Sequence, residues 1–115
     1  MNQKDCLALP PGAQAYKRTP VFTQDTVPAG LLRDHVTREG TWALIHVLEG
    51  VVRYRVPGLD VEQDLHPAAA PGVVLPQMPH SVQPVGAVRF FVEFYALQPQ
   101  EQAGRPGLPS TGLVE

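Results

Sequence analysis

The chain has 115 residues and a mass of 12.5 kDa, is 43% hydrophobic and 17% charged, and carries a net charge of −2 with a pI near 6.0. That size fits a single domain, the apolar content excludes disorder, and the few Lys and Arg form no run that could track a phosphate backbone, so no nucleic-acid partner is expected. Thirteen prolines and ten glycines argue against long helices and for short strands joined by tight turns.

In chain order, residues 1–20 read as an extended arm that ends in Tyr16-Lys17-Arg18-Thr19-Pro20. The opening stretch has neither the charged start nor the apolar run of a signal peptide. No window approaches the roughly 20 apolar residues of a membrane span, so a cytoplasmic protein with no membrane partner is expected. Cys6 has no second cysteine to pair with and reads as an incidental thiol. The Pro28-Ala29-Gly30 turn introduces a strand over 31–36, and Arg38-Glu39-Gly40 turns into a stronger strand over 41–48. Glu49-Gly50 then reads as a hairpin turn, with 51–56 as the return arm and Pro57-Gly58 closing it.

Residues 59–65 alternate apolar with acidic or amide side chains, as a strand with one wet face does. A Pro/Ala loop over 66–72 leads to a short strand at 73–75, a constrained turn over 76–79, a strand start over 80–84 and a turn at Gly86. The run 88–97, with three Phe, one Tyr and two Val, is the most strand-like of all. After it the hydrophobic pattern fails, and 98–115 reads as a mobile tail on an ordered core over about 9–97. Strands with turn signals every 8–12 residues or so indicate an all-β fold, closed or in two sheets.

Two segments carry more than pattern: His46-Val47-Leu48-Glu49-Gly50 running into Val51-Val52-Arg53-Tyr54, and the stretch from Pro71-Gly72 to Pro79-His80-Ser81-Val82. They resemble the two signature hairpins of cupins. With Tyr16 to Phe22, Asp34-His35 and Phe90-Phe91-Val92-Glu93-Phe94-Tyr95, the chain is similar over about 9–97 to the TehB/YeaR-like, tellurite-resistance-associated small cupin family. The resemblance implies a single cupin-type jelly-roll β-barrel. In the longer family members a methyltransferase domain follows, and the resemblance implies no methyl transfer for this chain. The usual His-x-His and Glu are reduced here to His35, with Ala43 near the expected Glu position, so a standard three-histidine, one-glutamate centre is excluded.

The resemblance implies that His80 points into the barrel and that His35 is a second metal ligand; read alone, His80 is a loop histidine and His35 a surface one. Glu93 lies in the most apolar run of the chain, where a carboxylate needs a metal, a cation or several donors, so it is either a ligand or one half of an ion pair with Arg89, Arg33 or Arg53. Gln77 is a weak ligand, a donor that orients a histidine, or a solvated turn residue. Arg33, Trp42, Tyr54 and Arg89 are candidate pocket-lining residues, although buried aromatics are more often core. His46 is out of phase with Ala43, Ile45 and Val47 and is expected to face outward; His66 is expected in solvent.

These readings lead to a small metal-binding cupin of the stress-response type, holding one divalent transition metal (Zn, Fe or Ni) and a small-molecule or oxyanion ligand. Two alternatives stand beside it: a dioxygenase or isomerase on two histidines and one carboxylate, and a metal-free barrel gripping an anion through Arg33 and Arg89. Leu44, His46 and Leu48 on an outer sheet face lead to the expectation of a homodimer.

Overall fold

Two long strands organise the molecule. The computed structural model describes residues 8–97, so the expectations for Cys6 and for the tail over 98–115 lie outside the described residues. Within it the strands are β1 (Ala13–Arg18), β2 (Phe22–Thr23), β3 (Trp42–Val56), β4 (Val61–Leu65), β5 (Gly72–Val74) and β6 (Ser81–Leu97). β3 and β6 run antiparallel from the Trp42 and Tyr95 pair to the Arg55 and Ser81 pair. The other edge of β6 takes β1 and β2, while the other edge of β3 takes β5 along its first half and β4 along its second.

The all-β class is as expected, but the jelly-roll barrel is not. The order β1-β6-β3-β4 leaves β1 and β4 unjoined, so the sheet is open, and a barrel requires its first and last strands to meet. Part of the reason lies at residues 31–36, which do not add a strand. Ala29–Leu32 closes a short 3-10 turn, with Leu31 N–H donating to Pro28 O at 3.0 Å. Beyond it His35 and Thr37 make only isolated bridges to His80 and Pro76. The expected N-terminal arm is likewise sheet, since Ala13–Arg18 pairs with the end of β6.

The Glu49-Gly50 turn also differs from expectation. Residues 42–56 form one strand, and its register against β6 shifts between Val47 and Glu49 and again between Glu49 and Val51, which is a bulge. Gly50 has φ +81°, and a Cβ there would sit 2.2 Å from the carbonyl oxygen of Ala87. The bulge resets side-chain parity along the strand: Ala43 and Ile45 are buried before it, and Val52, Tyr54 and Val56 after it. An unbroken two-residue period would have turned the second half of the apolar set outward.

The core lies on one face of this bent sheet. Phe90, Tyr54, Ile45, Val52, Val56 and Val74 are fully buried there, and Phe22 meets Phe90 edge-on at 5.7 Å. Among the described residues no helix is long and apolar enough to cross a membrane.

Candidate functional site

A two-residue bridge just before the start of β6 builds the site. His35 N–H donates to His80 O and His80 N–H to His35 O, both at 2.9 Å. Residues that exchange both hydrogen bonds stand directly opposite each other with their side chains on the same face. The two imidazoles therefore meet, with ring centroids 4.1 Å apart. Tyr54 stands edge-on behind His80 at 6.0 Å.

Each ring is oriented in the same way. Nδ1 of His35 donates to Arg33 O and Nδ1 of His80 to Met78 O, both at 3.0 Å. A carbonyl can only accept, so Nδ1 carries the hydrogen, and in the neutral ring Nε2 keeps its lone pair. Neither Nε2 has a hydrogen-bond partner among the described residues. His80 is 4% exposed, and burial, aided by repulsion from His35, lowers its pKa to about 4 against the pull of the Met78 carbonyl and Asp34. At neutral pH it is an uncharged acceptor.

Both rings line a cavity of about 310 Å³ whose other walls include Phe22, Leu31, Ile45, Val82, Val92 and Phe94. Lys17, Thr19 and Thr37 add the remaining polar side chains. The Thr19 hydroxyl donates to Pro20 O and accepts from Val92 N–H, and the Thr37 hydroxyl donates to Thr41 O. With the threonines engaged, the imidazole lone pairs and the Lys17 ammonium are left as the polar groups a guest would meet. Lys17, Thr19, Phe22 and Leu31 were not among the site residues expected from sequence. For Lys17, Thr19 and Phe22 the signal was there, since Tyr16 to Phe22 belongs to the segments that carry the family resemblance; Leu31 lies outside them.

The other candidates lie elsewhere. Glu93 is on the opposite face of β6, where its carboxylate accepts from Tyr95 Oη at 3.0 Å, His46 Nε2 at 3.1 Å and Arg18 Nη2 at 3.4 Å. Burial there raises its pKa, but the hydrogen bonds from Tyr95, Arg18 and His46 outweigh it and hold the carboxyl below its ordinary value. The ion-pair partner is Arg18 rather than Arg89, Arg33 or Arg53. Gln77 is exposed at the turn, in left-handed backbone with φ 58°, and its N–H donates to Thr37 O at 2.9 Å. Arg33 is exposed, Arg89 pairs with Glu49 at 3.2 Å, and Trp42 shares the outer face with Glu93. His66 is exposed, as expected.

Tyr54 belongs to the core behind the site: its hydroxyl donates to Val73 O at 2.7 Å, and burial raises its pKa. A Tyr54→Phe variant leaves that carbonyl without its donor and is expected to lose about 1–2 kcal/mol in urea denaturation, as buried hydrogen bonds of this kind do. No measurable change would mean that water replaces the bond freely.

This geometry does not fit the ligand sets expected from sequence. Among the described residues no three His, Cys, Asp or Glu side chains come together as a metal centre would require. Two histidines and Glu93 cannot share an ion across the sheet, and neither Arg33 nor Arg89 lines the cavity to grip an anion.

The family model of the TehB-like domain matches residues 17–92. The crystal structure of TehB from Haemophilus influenzae superposes with a TM-score of 0.72 at 26% identity, covering 81% of this chain and 34% of that one. A structural-genomics protein from E. coli strain K12 gives 0.73 at 22% identity, covering 81% of this chain and 90% of that one, which supports the fold alone. No curated protein matches the chain in sequence. The family matched is the TehB-like domain, and the named structural neighbour is TehB from Haemophilus influenzae, of which this chain spans about a third; neither is a metal-holding cupin by name. The expectation of a small metal-binding cupin is thereby overturned. From residue 17 to residue 92, two thirds of its length, the chain carries the TehB-like domain, and it belongs to the TehB-like family.

Proposed function

We propose that the chain is a binding module, serving the tellurite response for which its family is named, whose concave cavity takes a neutral, mostly apolar small molecule that donates hydrogen bonds to His35 and His80. The observation that carries this reading is the pair of imidazoles held by backbone carbonyls, with two unpartnered Nε2 lone pairs in a mostly apolar cavity that Lys17 also borders. An apolar wall favours a guest that sheds water easily, and a lone pair in such a wall favours a guest with an O–H or N–H to offer. A fully deprotonated oxyanion has no such hydrogen and would meet the lone pairs unfavourably, because His80 resists protonation, and the cation it would meet in the lining is the exposed Lys17. The lining holds no cysteine, serine or carboxylate beside its two histidines, two threonines and Lys17, and on that composition we favour binding over turnover.

The test is calorimetry at pH 7.5 with p-cresol, toluene, benzoate and tellurite. The cresol is expected to bind best, and His80→Phe to weaken it about tenfold, the equivalent of one hydrogen bond at roughly 1.4 kcal/mol. Toluene should be indifferent to that substitution. Tellurite or benzoate binding more tightly than cresol, or toluene matching it, would sink the proposal.

A further inference from the structure

A second bulge turns a lysine toward the cavity. β1 runs antiparallel to the end of β6 with Ala15 opposite Tyr95 and Lys17 opposite Phe94, so Tyr16 is an extra residue in the ladder. In an unbroken register Tyr16 would stand opposite Phe94, and Lys17 would stand opposite Glu93 on the outer face, beside a carboxylate. The bulge gives that place to Arg18, which pairs with Glu93 at 3.4 Å, and sets Lys17 on the concave face with Phe94. There it lines the cavity of His35 and His80, whose walls hold no Asp or Glu. Among the described residues Lys17 forms no ion pair. β1 is an edge strand and Lys17 is exposed, so the ammonium borders the cavity where it opens to water.

We infer that Lys17 is a specificity residue, which selects a guest carrying a carbonyl acceptor at the end away from its hydrogen-bond donor: a phenol or alcohol that is also a ketone, ester or amide. The inference rests on the binding reading proposed above and adds the second end of the guest. The two Nε2 lone pairs can only accept from it, and an ammonium can only donate. Between these two kinds of group the walls are apolar apart from threonines whose hydroxyls are already engaged. The bulge trades a ready carboxylate partner for this wall, so within the cavity only a guest or water can answer the ammonium. A carboxylate would answer its charge more fully, but it would shed water against one exposed, solvent-screened cation, and such pairs return little. A carbonyl oxygen gives up far less hydration and still takes a charge-assisted hydrogen bond.

The experiment is calorimetry of the full chain and of Lys17→Met with p-cresol, p-hydroxyphenylacetone, p-hydroxybenzylacetone and p-hydroxyphenylacetate. The two ketones place a carbonyl at two reaches from the same phenol. The better of them is expected to bind the wild type about fivefold tighter than cresol, a charged hydrogen bond discounted for the exposure of Lys17. Lys17→Met should bring that ketone down to the level of cresol while cresol itself changes by no more than about twofold, which shows the cavity intact. Cresol that fails to bind the wild type overturns the binding reading and this inference with it. Where cresol binds, three results overturn the role of Lys17 alone: neither ketone exceeds cresol, the ketone gain survives Lys17→Met, or the acetate binds more tightly than both ketones. A methionine variant that loses cresol as well overturns it too, because the lysine then shapes the cavity instead of reading the guest.

Discussion

A Gly50→Ala variant is expected to lose about 2–5 kcal/mol of stability, because left-handed backbone disfavours a Cβ by roughly 1–2 kcal/mol and overpacking adds about 1–3 more. The second contribution is unusually concrete here. The added Cβ would meet the Ala87 carbonyl oxygen at 2.2 Å and the Val88 Cα at 3.1 Å, both backbone atoms of the paired strand that cannot swing aside as a side chain would. Relief requires β3 and β6 to part at the bulge, and that bulge keeps Val52, Tyr54 and Val56 in the core. Gly86 provides the control. It has the same φ of +81° but open space where its Cβ would go, so Gly86→Ala carries only the backbone contribution and is expected to lose about 1–2 kcal/mol. Urea denaturation of the two variants separates clash from strain. Equal losses would show that the close approach at Gly50 relaxes without consequence.

The same two glycines mark where the sequence misleads. A glycine after an alternating apolar run signals positive φ, and both Gly50 and Gly86 have it. Positive φ serves a hairpin turn and a bulge equally well, and the difference lies in a partner strand far away in sequence. Val51 stands opposite Val85, so the two apparent turns lie side by side as bends of one long ribbon. Local pattern contains no such information. The segment 31–36 failed differently: its alternation suited a strand, but Pro28-Ala29-Gly30 winds it into a 3-10 turn and only His35 and Thr37 reach the sheet.

The face of Glu93 was legible, by contrast. Positions 88, 90, 92, 94 and 96 are all apolar, while Arg89 and Glu93 fall on the alternate set, so parity alone places the carboxylate outside. The buried residues Val88, Phe90, Val92 and Phe94 follow that parity. Taking Glu93 as a ligand gave the cost of burying a carboxylate in an apolar run more weight than the strand period. The meeting of His35 and His80 came within reach only through the family resemblance, since 44 intervening residues and an irregular bridge hide it from any periodicity.

Acid is expected to destabilise the fold by about 3 kcal/mol through His80 alone, in a window that begins above the range where carboxylates titrate. The unfolded ring takes its proton near 6.5, whereas the folded ring, buried and beside His35, resists until about 4. Between those values the unfolded chain binds the extra proton, so stability rises with pH. The contribution is complete above 6.5 and drains away as pH falls from 6.5 to about 4, at about 1.4 kcal/mol for each pH unit. Glu93 acts lower: hydrogen bonds from Tyr95, Arg18 and His46 hold its pKa down, so its contribution persists until pH drops through the carboxylate range. Denaturation of the wild type and of His80→Phe at pH 7.5, 6.5, 5.5 and 4.5 distinguishes the two. The wild type should weaken steadily across the series, while the phenylalanine variant, similar in shape but unable to titrate, should hold nearly level until the last point. A variant that weakens in parallel with the wild type would mean that the loss belongs to another group, and that the His80 imidazole is not the uncharged acceptor on which the proposed binding depends.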